Sequence, residues 1–105
     1  MQHLESELHQ LKQRLLTMAG TAEQAVNRAI KALLDRDDDL ARDVRERDSV
    51  LDQLEMELDD AAIQLLSKAP LATDLRLITV VMKISRDLER IGDEATNIAR
   101  RTIEL

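Results

Sequence analysis

Cysteine and the aromatic residues phenylalanine, tyrosine and tryptophan are absent from this 105-residue sequence. Without cysteine there is no disulfide framework, no thiolate metal site and no thiol nucleophile, which suits a reducing cytoplasm. Because the chain has no aromatic rings, it has no side chains on which nucleobases could stack and no aromatic residue that could anchor a partner protein. The core must therefore be built from Leu, Ile, Val, Met and Ala.

Glycine and proline are also scarce, at two and one residues, whereas 44% of the chain is hydrophobic and 34% is charged. This composition predicts a helical bundle, and the length predicts one domain over residues 1–105. The longest apolar run, "LITVVM", is far too short to cross a membrane, and no signal peptide is evident. We therefore expect no membrane insertion.

Negative charge is concentrated in the middle of the chain. Residues 35–60 carry a net charge of −8, although the whole chain carries only −6. This segment repels phosphate backbones, and no basic stripe elsewhere compensates for it. The sequence therefore predicts no binding to nucleic acid.

Apolar residues recur at three- and four-residue steps along three segments, predicting helices over about residues 3–34, 38–68 and 70–104. Gly20 interrupts the first segment, and Pro70 falls near the start of the third, where a missing N–H matters least. The predicted inner stripe of the third helix consists of Leu77, Val81, Ile84, Leu88, Ile91, Ala95 and Ile98. Short connections make neighbouring helices antiparallel, so we predict an all-α, up-down-up three-helix bundle.

Two carboxylates in "LERIGDEA" stand one turn apart on the third helix. Measured from a core centred on Leu88 and Ile91, Glu89 and Asp93 point outward together, whereas Gly92 faces the inner flank. A side chain at position 92 is expected to crowd a neighbouring helix.

The second helix repeats this spacing with Asp48 and Asp52, and Glu55 and Asp59 extend the line. Like charges one turn apart repel each other, so such an array stabilises a helix poorly. It does offer hard oxygen ligands to a cation. The pattern alone leaves open whether the acids bind metal or form an ordinary solvated face.

Residues 70–100, "PLATDLRLITVVMKISRDLERIGDEATNIAR", closely resemble the third helix of the PhoU family of phosphate-transport regulators. Residues 47–66, "RDSVLDQLEMELDDAAIQLL", and 11–37, "LKQRLLTMAGTAEQAVNRAIKALLDRD", resemble its second and first helices. The family's fold is two such three-helix repeats, and this chain resembles the N-terminal one. With one repeat, the chain is either a single-repeat form or a piece of a longer protein. A lone repeat is expected to form a homodimer; Leu71, Leu75 and Met82 are candidates for the contact, or else belong to a wide core.

Members of the family carry an acidic E(D)xxxD motif associated with multinuclear metal sites. By position the resemblance implies a site formed by Asp48, Asp52, Glu89 and Asp93, with Asn97 supplying an amide oxygen. The implied metals are iron, zinc, manganese or magnesium.

The resemblance further implies a non-enzymatic, cytoplasmic negative regulator of phosphate homeostasis. Its expected partners are the ATPase of the phosphate ABC transporter and the phosphate-sensing histidine kinase, which would hold it at the periphery of the inner membrane. Arg76, Arg86 and Arg90 are candidate phosphate or partner contacts, although surface arginines usually form only ion pairs. The alternative function is a structural or interaction bundle whose acids bind no metal. A metal-dependent hydrolase is disfavoured, because the sequence offers only carboxylates at the site and no separate general base.

Overall fold

The first helix ends in a turn that uses a left-handed residue. In the computed structural model, which describes residues 2–69 and 71–105, helix α1 spans Gln2–Asp35 and Arg36 follows it with a φ of 55°. The Asp37 N–H donates to the Ala32 carbonyl (2.9 Å), and the Arg36 N–H donates to the Leu33 carbonyl (3.3 Å). These two bonds close a Schellman turn, which reverses the chain within two residues.

The second predicted helix is interrupted at one residue. Helix α2 spans Asp38–Glu46 and helix α3 spans Asp48–Leu66, with Arg47 between them at φ −92° and ψ 4°. The carboxylate of Asp43 accepts hydrogen bonds from Arg47 (Nε–Oδ1, 3.1 Å) and from Arg28 of α1. The break therefore lies beside the ion pair between Arg28 and Asp43, which connects α1 to α2.

The last helix, α4, spans Ala72–Glu104. Ser67 closes the end of α3, where its hydroxyl donates to the Gln64 carbonyl at 2.8 Å. Pro70, which the sequence places near the start of the third helix, lies outside the described residues.

The core divides along the bundle into two parts of different composition. Toward one end, large side chains from α1, α3 and α4 pack together, among them Leu11, Met18, Leu58 and Ile78. Toward the other end, α1, α2 and α4 pack through small residues, namely Ala29, Ala32, Ala41, Val44, Ala95 and Ala99. Small side chains allow helix axes to approach closely, so α2 sits tightly against its neighbours.

The buried face of α4 is rotated from the predicted one. Ile84 and Ile91, expected in the core, are 40% and 43% exposed, whereas Ser85 and Ile78 are fully buried. Many of the buried positions of α4 carry short side chains, such as Ser85, Ala95 and Ala99, and Ile84 and Ile91 lie outside this face. The prediction of those two isoleucines as core residues was therefore wrong.

The overall prediction of an all-α three-helix bundle is confirmed, with the second helix divided into α2 and α3. The bundle measures 54 × 17 × 17 Å, which matches the length of a helix of 34 residues. Among the described residues, no helix is both long and apolar enough to span a membrane.

Candidate metal centre

Three carboxylates from two helices converge on one side of the bundle. Asp52 of α3 and Glu89 and Asp93 of α4 each offer one oxygen, and these oxygens all lie within 4.8 Å of one another. Asp52 and Asp93 are exposed, whereas Glu89 is half-buried. The structure therefore brings together three of the four predicted carboxylates.

The cluster is positioned by close packing of α3 against α4. A Cβ atom built on Gly92 would overlap Cδ2 of the buried Leu51. The neighbours of these two residues in sequence are Asp93 and Asp52, so the close approach draws the two acids together. The prediction that a side chain at position 92 would crowd another helix is confirmed.

Glu89 lies nearer to α3 than the sequence predicted. Because the buried face of α4 contains Ser85 and Thr96, Glu89 sits at the edge of the interface rather than on the outer surface. A hydrogen bond with Asp52 raises the pKa of the Glu89 carboxyl to about 7, and burial and the charge of Asp93 act in the same direction. A carboxyl keeps its proton near neutral pH when burial and nearby negative charges disfavour its ionised form.

Two further carboxylates of α3 extend the cluster. Glu55 Oε2 and Asp59 Oδ1 are buried and have no hydrogen-bond partner. Burial raises the pKa of Glu55, as do the charges of Asp59 and Asp52, whereas the Arg86 guanidinium lowers it. Glu55 and Asp59 have the same four-residue spacing, but the family's acidic motif was assigned to the preceding pair, Asp48 and Asp52.

Asp48 and Asn97 do not belong to the three-carboxylate group. Asp48 is the first residue of α3 and is exposed, and it lines a cavity of about 180 Å³ together with the cluster. The Asn97 Oδ1 accepts a hydrogen bond from Arg100 at 3.1 Å. Both residues therefore lie beside the cluster, on the side toward the end of α4.

The three arginines proposed as phosphate or partner contacts are all exposed, and Arg76 lies well apart from Arg86 and Arg90 on α4. Arg86 lies close enough to Glu55 to lower its pKa. Arg90 pairs with Asp87 at 3.8 Å and lines an apolar groove with Ile91. Arg76 lies near the opposite end of α4, more than two helical turns before Arg86.

The arrangement suits a hard cation. Two ligands on one ion with bonds of about 2.1–2.4 Å lie at most about 4.2–4.8 Å apart, so the oxygen spacing fits a single ion. The donors are all carboxylate oxygens, which favour magnesium, manganese or calcium over softer metals. The unpartnered oxygens of Glu55 and Asp59 provide further donors beside it. When bound, such an ion supplies positive charge that neutralises the mutual repulsion of the acids.

Fold and cluster together define an all-α three-helix bundle with a carboxylate cluster between α3 and α4. Residues 15–102 match the model of the PhoU domain. The chain belongs to the PhoU family.

Solved structures share this fold, and curated relatives are similar in sequence. The chain is 46% identical to the phosphate-specific transport system accessory protein PhoU homolog of Pseudomonas putida, over 99% of this chain and 41% of the relative. It superposes on the crystal structure of PhoU from Pseudomonas aeruginosa with a TM-score of 0.93 and 45% identity, covering 96% of this chain and 49% of that one. The phosphate transport system regulatory protein PhoU from Streptococcus pneumoniae gives the same TM-score at 28% identity, covering 97% and 49%. The chain therefore spans about half the length of the relatives it matches.

Proposed function

We propose that this chain is a non-enzymatic regulatory module of phosphate uptake and phosphate-starvation signalling. The observation that carries the proposal is its similarity, over nearly its whole length, to proteins named as accessory or regulatory components of phosphate transport. In this proposal the module acts as a negative regulator on the cytoplasmic side of the membrane. It links the ATPase of the phosphate ABC transporter to the phosphate-sensing histidine kinase.

We further propose that Asp52, Glu89 and Asp93 hold a metal ion that shapes a binding surface, without catalysing a reaction. Support comes from the convergence of their oxygens and from the unpartnered oxygens of Glu55 and Asp59. The all-oxygen donor set favours manganese or magnesium among the expected metals, and iron and zinc remain ions to test.

We also propose that the isolated chain forms a homodimer through apolar surface on α4. Leu71 and Leu75, 57% and 39% exposed, lie at the start of α4, and Leu75 faces one flank of the helix. Val80, Ile84 and Ile91, 40–49% exposed, lie on the opposite flank, so each flank offers a separate candidate contact. Leu71 and Leu75 were candidates from the sequence, whereas Met82 packs against the core and contributes less surface. Light scattering during gel filtration tests this directly: a monomer at micromolar concentration would contradict the dimer.

The partner proposal is tested by measuring binding of the chain to the purified transporter ATPase and, separately, to the kinase. We expect saturable binding in the presence of Mn²⁺, and weaker binding by Glu89→Gln. Glu94→Gln is the matched control, because it removes the same charge from an exposed residue of the same helix. Absence of binding to both partners would overturn the adaptor role.

The metal proposal is tested by thermal unfolding with Mn²⁺, Mg²⁺, Fe²⁺ and Zn²⁺. Because a ligand that binds only the folded state raises its stability, at least one ion is expected to raise the melting temperature. Asp52→Asn and Asp93→Asn are expected to abolish that rise, and the exposed Asp60→Asn of α3 is expected to retain it. If no ion shifts the wild-type chain, the acids are solvated charge and the alternative of a bundle without a metal role stands.

A further inference from the structure

A second cavity adjoins the carboxylate cluster and contains three arginines as well as two carboxylates. It has a volume of about 340 Å³ and lies between α2 and α4. Its lining consists of Arg42, Arg45, Glu46, Asp48, Thr96 and Arg100. The cavity gathers three guanidinium groups beside the carboxylates of Glu46 and Asp48. Two of the arginines, Arg42 and Arg45, come from the strongly negative segment 35–60.

Two of these arginines have no carboxylate partner. Arg42 pairs with Asp39 at 3.0 Å, but Arg45 lies within 4.0 Å of no acid among the described residues. The Arg100 Nη1 donates to the neutral amide oxygen of Asn97 at 3.1 Å, which leaves its charge uncompensated. By contrast, the nearby Arg28 and Arg47 both pair with Asp43. Arg45 and Arg100 are thus available to an external anion.

The cavity is continuous with the carboxylate cluster. Asp48 and Thr96 line both this cavity and the one that contains the cluster. Arg100 reaches back to Asn97, which is one turn, or about 6 Å, beyond Asp93 along α4. The two cavities are therefore placed to share one ligand.

We propose that Arg45 and Arg100 bind inorganic phosphate beside a metal ion held by Asp52, Glu89 and Asp93. This inference rests on the metal site proposed above. Magnesium-like ions are commonly held by one or two carboxylates together with phosphate oxygens, and guanidinium groups match phosphate geometry through paired N–H donors. Without the ion, the carboxylates repel phosphate, so phosphate binds well only when the metal is present.

This arrangement couples the two ligands. By linkage, phosphate must tighten metal binding by the same factor as the metal tightens phosphate binding. The module would then bind phosphate and metal more tightly together than it binds either ligand alone. Because the charges of a divalent cation and of phosphate nearly cancel, binding both changes the ligands on this surface of α2, α3 and α4 but alters its net charge little.

Isothermal titration of the chain with micromolar Mn²⁺, in the absence and presence of millimolar phosphate, tests the proposal. We expect phosphate to tighten Mn²⁺ binding about tenfold, within the usual range of such coupling. Arg45→Gln and Arg100→Gln are expected to bind Mn²⁺ alone like the wild type but to lose the effect of phosphate. Arg101→Gln, an exposed neighbour on α4 outside the cavity, is the matched control and is expected to keep it. Circular dichroism checks that each variant is folded.

The outcomes separate this inference from the metal site. Mn²⁺ binding that phosphate does not tighten, or tightens equally in the arginine variants, overturns the phosphate site and leaves the metal site intact. An equal effect of sulfate also overturns it, because general ionic attraction then explains the coupling. Failure of the wild-type chain to bind any metal overturns the metal site and this inference with it.

Discussion

Gly92 of α4 lies against the buried side chain of Leu51 of α3, so a methyl group at position 92 would overlap Leu51 Cδ2 unless that side chain moved. This contact sets how closely the two helices approach at the point where Asp52 and Asp93 follow in sequence. Close packing in the core and convergence of the acids at the surface therefore have the same cause. The glycine in the interior of α4 is required for its lack of a side chain and not for an unusual backbone conformation.

Replacing the two glycines with alanine is expected to have opposite effects. At Gly20 an added Cβ has no atom within 4 Å, so Gly20→Ala is expected to stabilise the fold by about 1 kcal/mol through helix propensity. At Gly92 the overlap with Leu51 costs about 1–3 kcal/mol, which exceeds the same propensity gain. Gly92→Ala is therefore expected to destabilise by about 1 kcal/mol net. Urea denaturation followed by far-UV circular dichroism measures both changes.

A double variant identifies the cause of the Gly92→Ala effect. Shortening Leu51 to Val should recover part of the lost stability when combined with Gly92→Ala, because the overlapping methyl group moves away. If Gly92→Ala is as stable as Gly20→Ala, the two helices do not pack as closely as the structure shows.

The raised pKa of Glu89 predicts how stability depends on pH without metal. Between its unfolded pKa of 4.5 and its folded pKa of about 7, the folded chain binds more protons than the unfolded chain. Stability is therefore expected to fall as pH rises through this interval, and Glu55, whose pKa is also raised, adds to the fall. Melting temperatures between about pH 5 and pH 8, measured in a chelating buffer, test this.

Glu89→Gln provides the comparison for this pH profile. Its amide carries no titratable proton, so the decline with rising pH should be shallower than in the wild type. Glu94→Gln, on the same helix but outside the cluster, should keep the wild-type slope. Identical slopes in wild type and Glu89→Gln would contradict the raised pKa.

The unpartnered carboxylates of α3, Glu55 and Asp59, are expected to lower stability in the absence of metal and to strengthen metal binding. Glu55→Gln and Asp59→Asn each remove the charge of a half-buried carboxylate and supply an N–H donor to the neighbouring acids. Both are expected to raise the melting temperature without metal and to reduce the additional rise caused by Mn²⁺. Asp60→Asn changes an exposed acid next to Asp59 and should alter neither quantity. A loss of stability in both buried variants without metal would show that these oxygens are satisfied by other groups.

Sequence patterns predicted the helices well because every long segment is amphipathic and breakers are few. They located Gly92 at a helix contact and found three of the converging carboxylates, Asp52, Glu89 and Asp93. The break at Arg47 was missed because no glycine or proline marks it in the sequence. It lies beside Asp43, whose ion pairs with Arg28 and Arg47 depend on the tertiary structure.

The rotation of α4 was also missed, for a different reason. Hydrophobic periodicity gives weight to large residues such as Ile84 and Ile91, whereas close helix packing selects small ones such as Ser85 and Ala99. The same error placed Glu89 on the outer surface rather than at the α3 interface. The arginine cavity was hidden because its residues are interleaved with acids in sequence and converge only when α2 packs on α4.

The left-handed turn at Arg36 predicts a stabilising substitution. A residue with a Cβ atom at φ 55° costs about 1–2 kcal/mol relative to glycine, and Arg36 is exposed, so its side chain contributes little packing. Arg36→Gly is therefore expected to stabilise the fold by about 1 kcal/mol, after allowing for the greater entropy of glycine in the unfolded chain. Arg36→Ala removes the same side chain but keeps the Cβ atom, so it should leave stability nearly unchanged. Urea denaturation of the two variants separates the backbone effect from loss of the guanidinium, and equal stability of Gly and Ala at this position would show that the turn carries no strain.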